Sequence, residues 1–215
     1  MLAFCTSGKG TSTRPIAGLE RGQELCQVWN FWSWFAQLAA HLGYAYALSG
    51  RVAEAIPMLK QAVGLNVYTS GMGTLWMAYL SEAYLLAGRT DDAMPLVQRA
   101  LKMARQYDER GTQAWVHRLL GDIWVQRVPQ GVSQAETSYC QGLALAEALG
   151  IRPLQAHCHH GLGTLYRRGE WIDQARAELS AAVALYRAMN MRFWQHLTEA
   201  TLAQLDRHEA VVRVQ

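Results

Sequence analysis

His157, Cys158, His159 and His160 form the densest run of metal-ligating side chains in the 215-residue sequence. Thiolate and imidazole suit zinc or copper. On a helix, four consecutive residues point to different sides, and only His157 and His160, three apart, share a face. A structural zinc site needs four ligands, and no second Cys/His pair stands at matching spacing. The run therefore reads as one face of a helix with a buried cysteine, and no metal is expected.

Other chemistry is sparser still. Ser7 to Thr11 (SGKGT) lacks the phosphate-loop spacing, because Gly10 follows Lys9 where Ser or Thr must bind the metal. Neither a G-x-S-x-G elbow nor an H-E-x-x-H pair occurs. No catalytic set is visible, so the expectation is a non-enzyme without a cofactor. Cys5, Cys26, Cys140 and Cys158 lie far apart. They read as small buried residues in a reducing, cytoplasmic compartment rather than a disulfide framework.

Trp29, Trp32 and Trp34 cluster with Phe31 and Phe35. Surfaces that stack bases interleave aromatics with basic residues, yet no Lys or Arg lies between Gly22 and Gly50. Core and inter-helix packing is the expectation for this cluster, and any exposed part of it would be a partner-binding patch. The net charge of +3 with scattered arginines gives no basic face, so nucleic acid is not an expected partner. Leu25 to Gly50 carries no charged residue, but Gln27, Asn30, Ser33, Gln37, His41 and Ser49 interrupt it. No membrane span and no secretory signal are expected.

The elements that position these residues are repeats. Half of the chain is hydrophobic and it has only five prolines, a balance that favours helix. Four segments share a pattern: LGYAYALSGRVAEAIPML, LSEAYLLAGRTDDAMPLV, LGDIWVQRVPQGVSQAETSY and LGTLYRRGEWIDQARAEL. A small slot holds Gly43, Ser81, Gly121 and Gly163, and an aromatic slot holds Tyr46, Tyr84, Trp124 and Tyr166. An alanine slot holds Ala55, Ala93, Ala135 and Ala175, followed four residues on by Leu59, Val97, Tyr139 and Leu179. Another small residue follows at Ala62, Ala100, Gly142 and Ala182. The small slots let two helices approach closely, and the aromatic fills space between hairpins. Gly50 and Gly88 are placed to end the first helix of a hairpin in the left-handed conformation. Thr90 is expected to cap the next helix, with Asp91 and Asp92 at its positive end. Pro57 and Pro95 are expected near the end of a first helical turn.

This pattern resembles the tetratricopeptide motif, W-x2-L-G-x2-Y…A-x3-F…A, over roughly Phe35 to Met189. The resemblance implies an all-α fold, an α-solenoid (right-handed superhelix) of about four extended hairpins with flanking helices. The hairpins are expected at about 35–66, 73–107, 113–148 and 155–188, with a C-terminal capping helix at about 192–208. Residues 15–212 would form one repeat domain behind a disordered tail, 1–14. The alanine slots lie 38, 42 and 40 residues apart, longer than the 34-residue repeat. The excess amounts to about one or two helical turns. Ala17 to Val28 reads as the second helix of a degenerate preceding hairpin. Phe193, Leu197 and Ala200 read as one apolar stripe of the capping helix.

In this repeat class the first helix of each hairpin lines a concave groove. The implied binding residues are Gln37, Tyr44, Glu82, Trp115, Arg118, Asp122, His157, His160, Thr164 and Arg167. Trp115 and Arg118 are residue types that dominate binding hot spots. The Lys/Asn set by which some members clamp a peptide C-terminus is missing from these slots. The wording of AHLGYAYALSGRVAEA, ERGTQAWVHRLLGDI and AHCHHGLGTLYRRG is similar to the C-terminal repeat tails of bacterial signalling proteins. Those proteins also carry nucleotide-cyclase and AAA-type ATPase domains, whose motifs this chain lacks. That resemblance, over about Leu19 to Leu205, implies a regulatory or scaffolding role in signal transduction. The expected partner is a protein or peptide held in the groove. A small-molecule sensor is the alternative, and a homodimer through the apolar face near the tryptophans is a further expectation.

Overall fold

The computed structural model describes residues 13–65, 73–127 and 131–212, apart from the side chains of residues 13–15, 32–33 and 206–212. Of the tail expected to be disordered, residues 1–12 lie outside this range, as do positions 128–130 of the lengthened third turn. Among the described residues there are α-helices and no strands. They are α1 (Thr13–Val28), α2 (Trp32–Leu48), α3 (Val52–Leu65), α4 (Gly73–Leu86), α5 (Thr90–Gln106), α6 (Arg110–Gln126), α7 (Val132–Ala148), α8 (Arg152–Arg168), α9 (Ile172–Ala188) and α10 (Arg192–Val212). None of them is long and apolar enough to cross a membrane. The chain divides into two compact units, Met1–Thr112 and Gln113–Gln215.

In the first unit α2–α3 and α4–α5 are hairpins, each with a leading and a returning helix. Their close approach follows from the small slots. A Cβ on Gly43 would lie 2.9 Å from Leu59 Cγ, so only hydrogen fits there. Ser81 takes the same slot in α4 and turns its hydroxyl to the carbonyl oxygen of Ala93, 2.9 Å away. Ala55, Leu59, Ala62, Ala93, Val97 and Ala100 are all fully buried. Burying each Leu or Val side chain contributes about 1.5–3 kcal/mol. Helix α1 lies on α2 as α3 lies on α4, so it is a returning helix without a leading partner among the described residues.

In the second unit α8–α9 is a hairpin, α7 packs on α8, and α10 packs on α9 and more lightly on α8. Tyr139 of α7 covers Gly121 of α6 and Gly161 of α8 at once. A Cβ on Gly163 would lie 2.6 Å from Leu179 Cγ. Helix α10 meets α9 as α8 meets α7, so it is a leading helix of the same series. Its small slot, thirteen residues after the turn residue Asn190, holds Ala203, where Gly163 stands thirteen after Gly150.

The turns share one device. Arg51 N donates to Tyr46 O and Gly50 N to Ala47 O, at 2.9 and 3.1 Å, with Gly50 at φ +86°. This paired bonding closes a helix through a left-handed residue. Gly88 repeats it at φ +72°. Turns between hairpins use the same geometry, with Asn30, Asp108, Gly150 and Asn190 in the left-handed position. Sequence reading located only the two glycines after the leading helices.

Several expectations are corrected. Thr90 is not a cap: α5 begins at Thr90 after Arg89, with no side-chain cap bond. Arg89 instead donates to Asp92 at 2.7 Å and stands 4.6 Å from the Tyr84 ring. Pro57 and Pro95 are each the sixth helical residue, beyond the first turn. Both are exposed, so the missing backbone bond faces water. The stripe Phe193, Leu197 and Ala200 of α10 faces outward, with Phe193 and Leu197 exposed. Trp194, Thr198, Leu202 and Leu205 turn inward instead. Of the N-terminal aromatics, Phe35 is buried, but Trp29, Phe31 and Trp34 are 67%, 58% and 64% exposed. The Trp32 side chain lies outside the described set. Cys26 and Cys158 are buried, whereas Cys140 is exposed.

Candidate binding faces on the leading helices

In the first unit, Tyr44 on α2 donates its hydroxyl to Glu82 on α4 at 3.0 Å. Both are nearly buried. Tyr79, one turn before Glu82, stacks on Tyr44 with ring centroids 4.0 Å apart and planes 8° from parallel. Burial, then the Glu82 charge, pushes the Tyr79 hydroxyl up to about 12. His41 stands edge-on to Tyr79 and pairs its Nδ1 with the carbonyl oxygen of Gln37 at 2.7 Å. Gln37 itself is half-buried on α2. The sequence-derived residues Tyr44 and Glu82 meet here, while His41 and Tyr79 were missed. Their signal was available, because three- and four-residue steps along α2 and α4 put them on the same faces.

In the second unit the face is built around Arg118. Asp122, four residues on, accepts from Arg118 Nη1 at 2.7 Å. Tyr139 donates its hydroxyl to the other Asp122 oxygen at 2.6 Å. Burial, followed by Asp122, raises the Tyr139 pKa well above 10. The guanidinium also stands 5.1 Å from the Trp115 ring, within cation–π range. Trp115, Arg118 and Asp122 therefore form one pre-set group.

The histidines differ in the partners they take. His157 Nδ1 pairs with the Tyr186 hydroxyl at 2.8 Å, and His160 Nδ1 with Thr198 Oγ1 at 3.0 Å. His159 turns the other way, to Glu178 at 2.6 Å. Trp194 covers the first two, 4.7 Å from the His157 ring and 6.2 Å from that of His160. Burial above all, then the Arg118 charge, lowers His157 to about 3. Burial and then Arg167 lower His160 to about 4. Both rings are neutral at pH 7. Arg167 reaches Gln204 on α10 at 3.3 Å. Thr164 is half-buried on the same helix. Trp194 and Thr198 were missed, because the C-terminal helix was read as a cap rather than as a further leading helix, and Tyr186 because it comes from the returning helix α9.

Burial pushes the Cys158 thiol up to about 12, so it is neither a thiolate nucleophile nor a ready soft ligand at neutral pH. Among the described residues no three His, Cys, Asp or Glu converge as metal ligands. What the faces offer is aromatic surface, one desolvated guanidinium and neutral imidazoles in fixed positions, which suits recognition.

Comparison with known proteins adds the fold's kinship. Residues 36–66, which contain most of α2 and all of α3, match the family described as tetratricopeptide repeat. No curated protein matches the chain. The crystal structure of BtubC (BKLC) from P. vanneervenii is similar over 94% of this chain and 93% of that one, with TM-score 0.66 and 18% identity. A putative kinesin light chain from Podosopora anserina, with nearly identical TPR-like repeats, is similar over 83% of this chain and 97% of that one. Its TM-score is 0.56 and its identity 17%. At these identities the likeness carries the fold alone: the chain is an all-α repeat protein of the solenoid class, built on tetratricopeptide-like hairpins.

Proposed function

We propose that the chain is a non-catalytic interaction module whose leading-helix faces hold a peptide or partner helix, in a regulatory or scaffolding role. The observation that carries this reading is the Trp115–Arg118–Asp122 group. Its guanidinium is held by Asp122 beside an indole and is only 12% exposed. Aromatic and arginine anchors fixed before binding lose little entropy on contact, which is how a small face supplies affinity. The regulatory part of the reading rests on the similarity of the repeat wording to signalling tails.

The test is site-directed photo-crosslinking. A crosslinking residue at Thr164, half-buried on the helix that carries His160 and Arg167, is expected to capture the partner. The same residue at the exposed position Lys102 of a returning helix is expected not to. Equal capture at both would remove the leading-helix face as the site.

Self-association is a second reading, favoured by the exposed Trp29, Phe31 and Trp34. The sensor alternative gains less. The cleft between α1 and α2 is open and lined by Glu20, Gln23, Glu24 and Gln27 with Leu42 and Tyr46, a poor enclosure for an apolar ligand.

A further inference from the structure

The repeat gives every residue near a turn a counterpart in another copy, and two of these pairs differ sharply in burial. Asn30 and Asn190 are the left-handed residues that open α2 and α10, at φ 55° in both. Counting from them, Phe31 corresponds to Met191 and Trp34 to Trp194. Met191 is 1% exposed, whereas Phe31 is 58% exposed. Trp194 packs on His157 and His160 of α8, the preceding leading helix, whereas Trp34 is 64% exposed. The difference has a plain cause. Among the described residues no leading helix precedes α1 to do for Trp34 what α8 does for Trp194.

Helix α10 has the opposite deficit. It is a leading helix with no returning helix after it among the described residues. Gly150 and Asn190, the residues that open α8 and α10, lie 40 apart, so Leu197 and Ala200 hold the positions of His157 and His160. In α8 those positions are covered by Tyr186 and Trp194. In α10 Leu197 is 42% exposed and Ala200 is exposed too. Among the described residues, α1 and α2 lack a preceding leading helix, and α10 presents a leading-helix surface left exposed at Leu197 and Ala200.

We infer that a second copy of this chain supplies the missing element: α10 of one copy seats against α1 and α2 of the next, with Trp34 over Leu197 and Ala200 as Trp194 lies over His157 and His160. This deepens the self-association reading and rests on it. The contact joins two different surfaces, so it is heterologous and can propagate to further copies. Trp34, Leu197 and Ala200 are apolar and no charged residue lies from Leu25 to Gly50, so the centre of the match is one of shape and burial, with Glu20, Arg21 and Glu24 of α1 and His196 and Glu199 of α10 around it.

Sedimentation velocity on the full chain across a concentration range tests it. The wild type is expected to grow in mass with concentration beyond a dimer. Trp34→Asp and Leu197→Asp, both at exposed positions, are each expected to be monomeric with unchanged helical circular dichroism. Trp34→Gln and Leu197→Gln give the same reading should the charge perturb folding. Mixed in equal amounts, the two variants are expected to form a dimer that stops there, because each retains the surface the other has lost. Two monomeric variants that fail to pair when mixed would overturn the inference. Association lost in Trp34→Asp but intact in Leu197→Asp would overturn it too, while leaving self-association through the aromatic face standing. A wild type that stays monomeric throughout would overturn both.

Discussion

Tyr139 donates its hydroxyl to Asp122 at 2.6 Å while the same Asp122 accepts from Arg118 at 2.7 Å. One fully buried phenol therefore ties α7 to the α6 face that presents the proposed anchor. It also packs on Gly121 and Gly161, where any side chain would collide with its ring.

Tyr139→Phe keeps the ring and removes only the hydroxyl. It is expected to cost about 1.5–3 kcal/mol, the range for a hydrogen bond to a charged group. Tyr139→Ala adds a cavity and is expected to cost about 3–5 kcal/mol, by analogy with buried aromatic truncations. Urea titration followed by circular dichroism checks both, and equal losses in the two variants would contradict the role of the ring.

Stability is expected to fall in mild acid. His157 and His160 have folded-state pKa values lowered from 6.5 to about 3 and about 4. The unfolded chain therefore binds more protons than the folded one across this window, and stability rises with pH there. It is fully present above about pH 6.5 and is lost progressively as pH falls toward 4 and below. Thermal melts from pH 7.5 to 4 check this. A His157→Gln, His160→Gln variant should show a shallower decline, and an unchanged slope would place the acid sensitivity elsewhere.

In the α8–α9 turn Glu170 occupies, at φ 61°, the left-handed position that Gly50 and Gly88 hold in the α2–α3 and α4–α5 turns. An L-residue pays about 1–2 kcal/mol there that glycine does not. Glu170→Gly is expected to recover roughly half of that or more, net of the entropy glycine loses. Gly88→Ala is expected to cost a similar amount. A melting temperature that falls for Glu170→Gly would contradict the turn assignment.

Two helical glycines should respond in opposite directions to one methyl group. A Cβ on Gly163 meets Leu179 Cγ at 2.6 Å and Leu179 N at 3.1 Å, whereas one on Gly18 meets nothing within 4 Å. Gly163→Ala is expected to destabilise by about 1–3 kcal/mol through overpacking. Gly18→Ala is expected to stabilise by about 0.5–1 kcal/mol through helix propensity. Denaturant midpoints check the signs.

The repeat made much of the packing legible, because each slot states a distance rather than a preference. Gly43 and Gly163 are small where Leu59 and Leu179 arrive, and Ala55, Ala93, Ala135 and Ala175 are buried without exception. The ends were less legible, for one physical reason. A residue's type says what could cover it, not whether a neighbour is there. Trp34 and Trp194 share a slot, yet only Trp194 has α8 beneath it. The outward stripe of α10 failed in the same way, since Phe193 and Leu197 have a helical spacing but meet no helix among the described residues. On the candidate faces, Trp115, Arg118 and Asp122 were found together because they share one helix. Tyr139, Tyr186 and Trp194 were not, because they come from neighbouring helices that hydropathy alone does not bring into register.

Capture of a protein partner by the leading-helix face of the second unit, as proposed above, is read by a paired pull-down. Tagged wild type and the Trp115→Ala, Arg118→Ala variant are incubated with lysate of the native host, and bound proteins are compared by quantitative mass spectrometry. A partner enriched by the wild type is expected to be lost by roughly tenfold or more in the variant, as when hot-spot anchors are truncated, with helical circular dichroism retained. Equal recovery of the same partner by both proteins would contradict it.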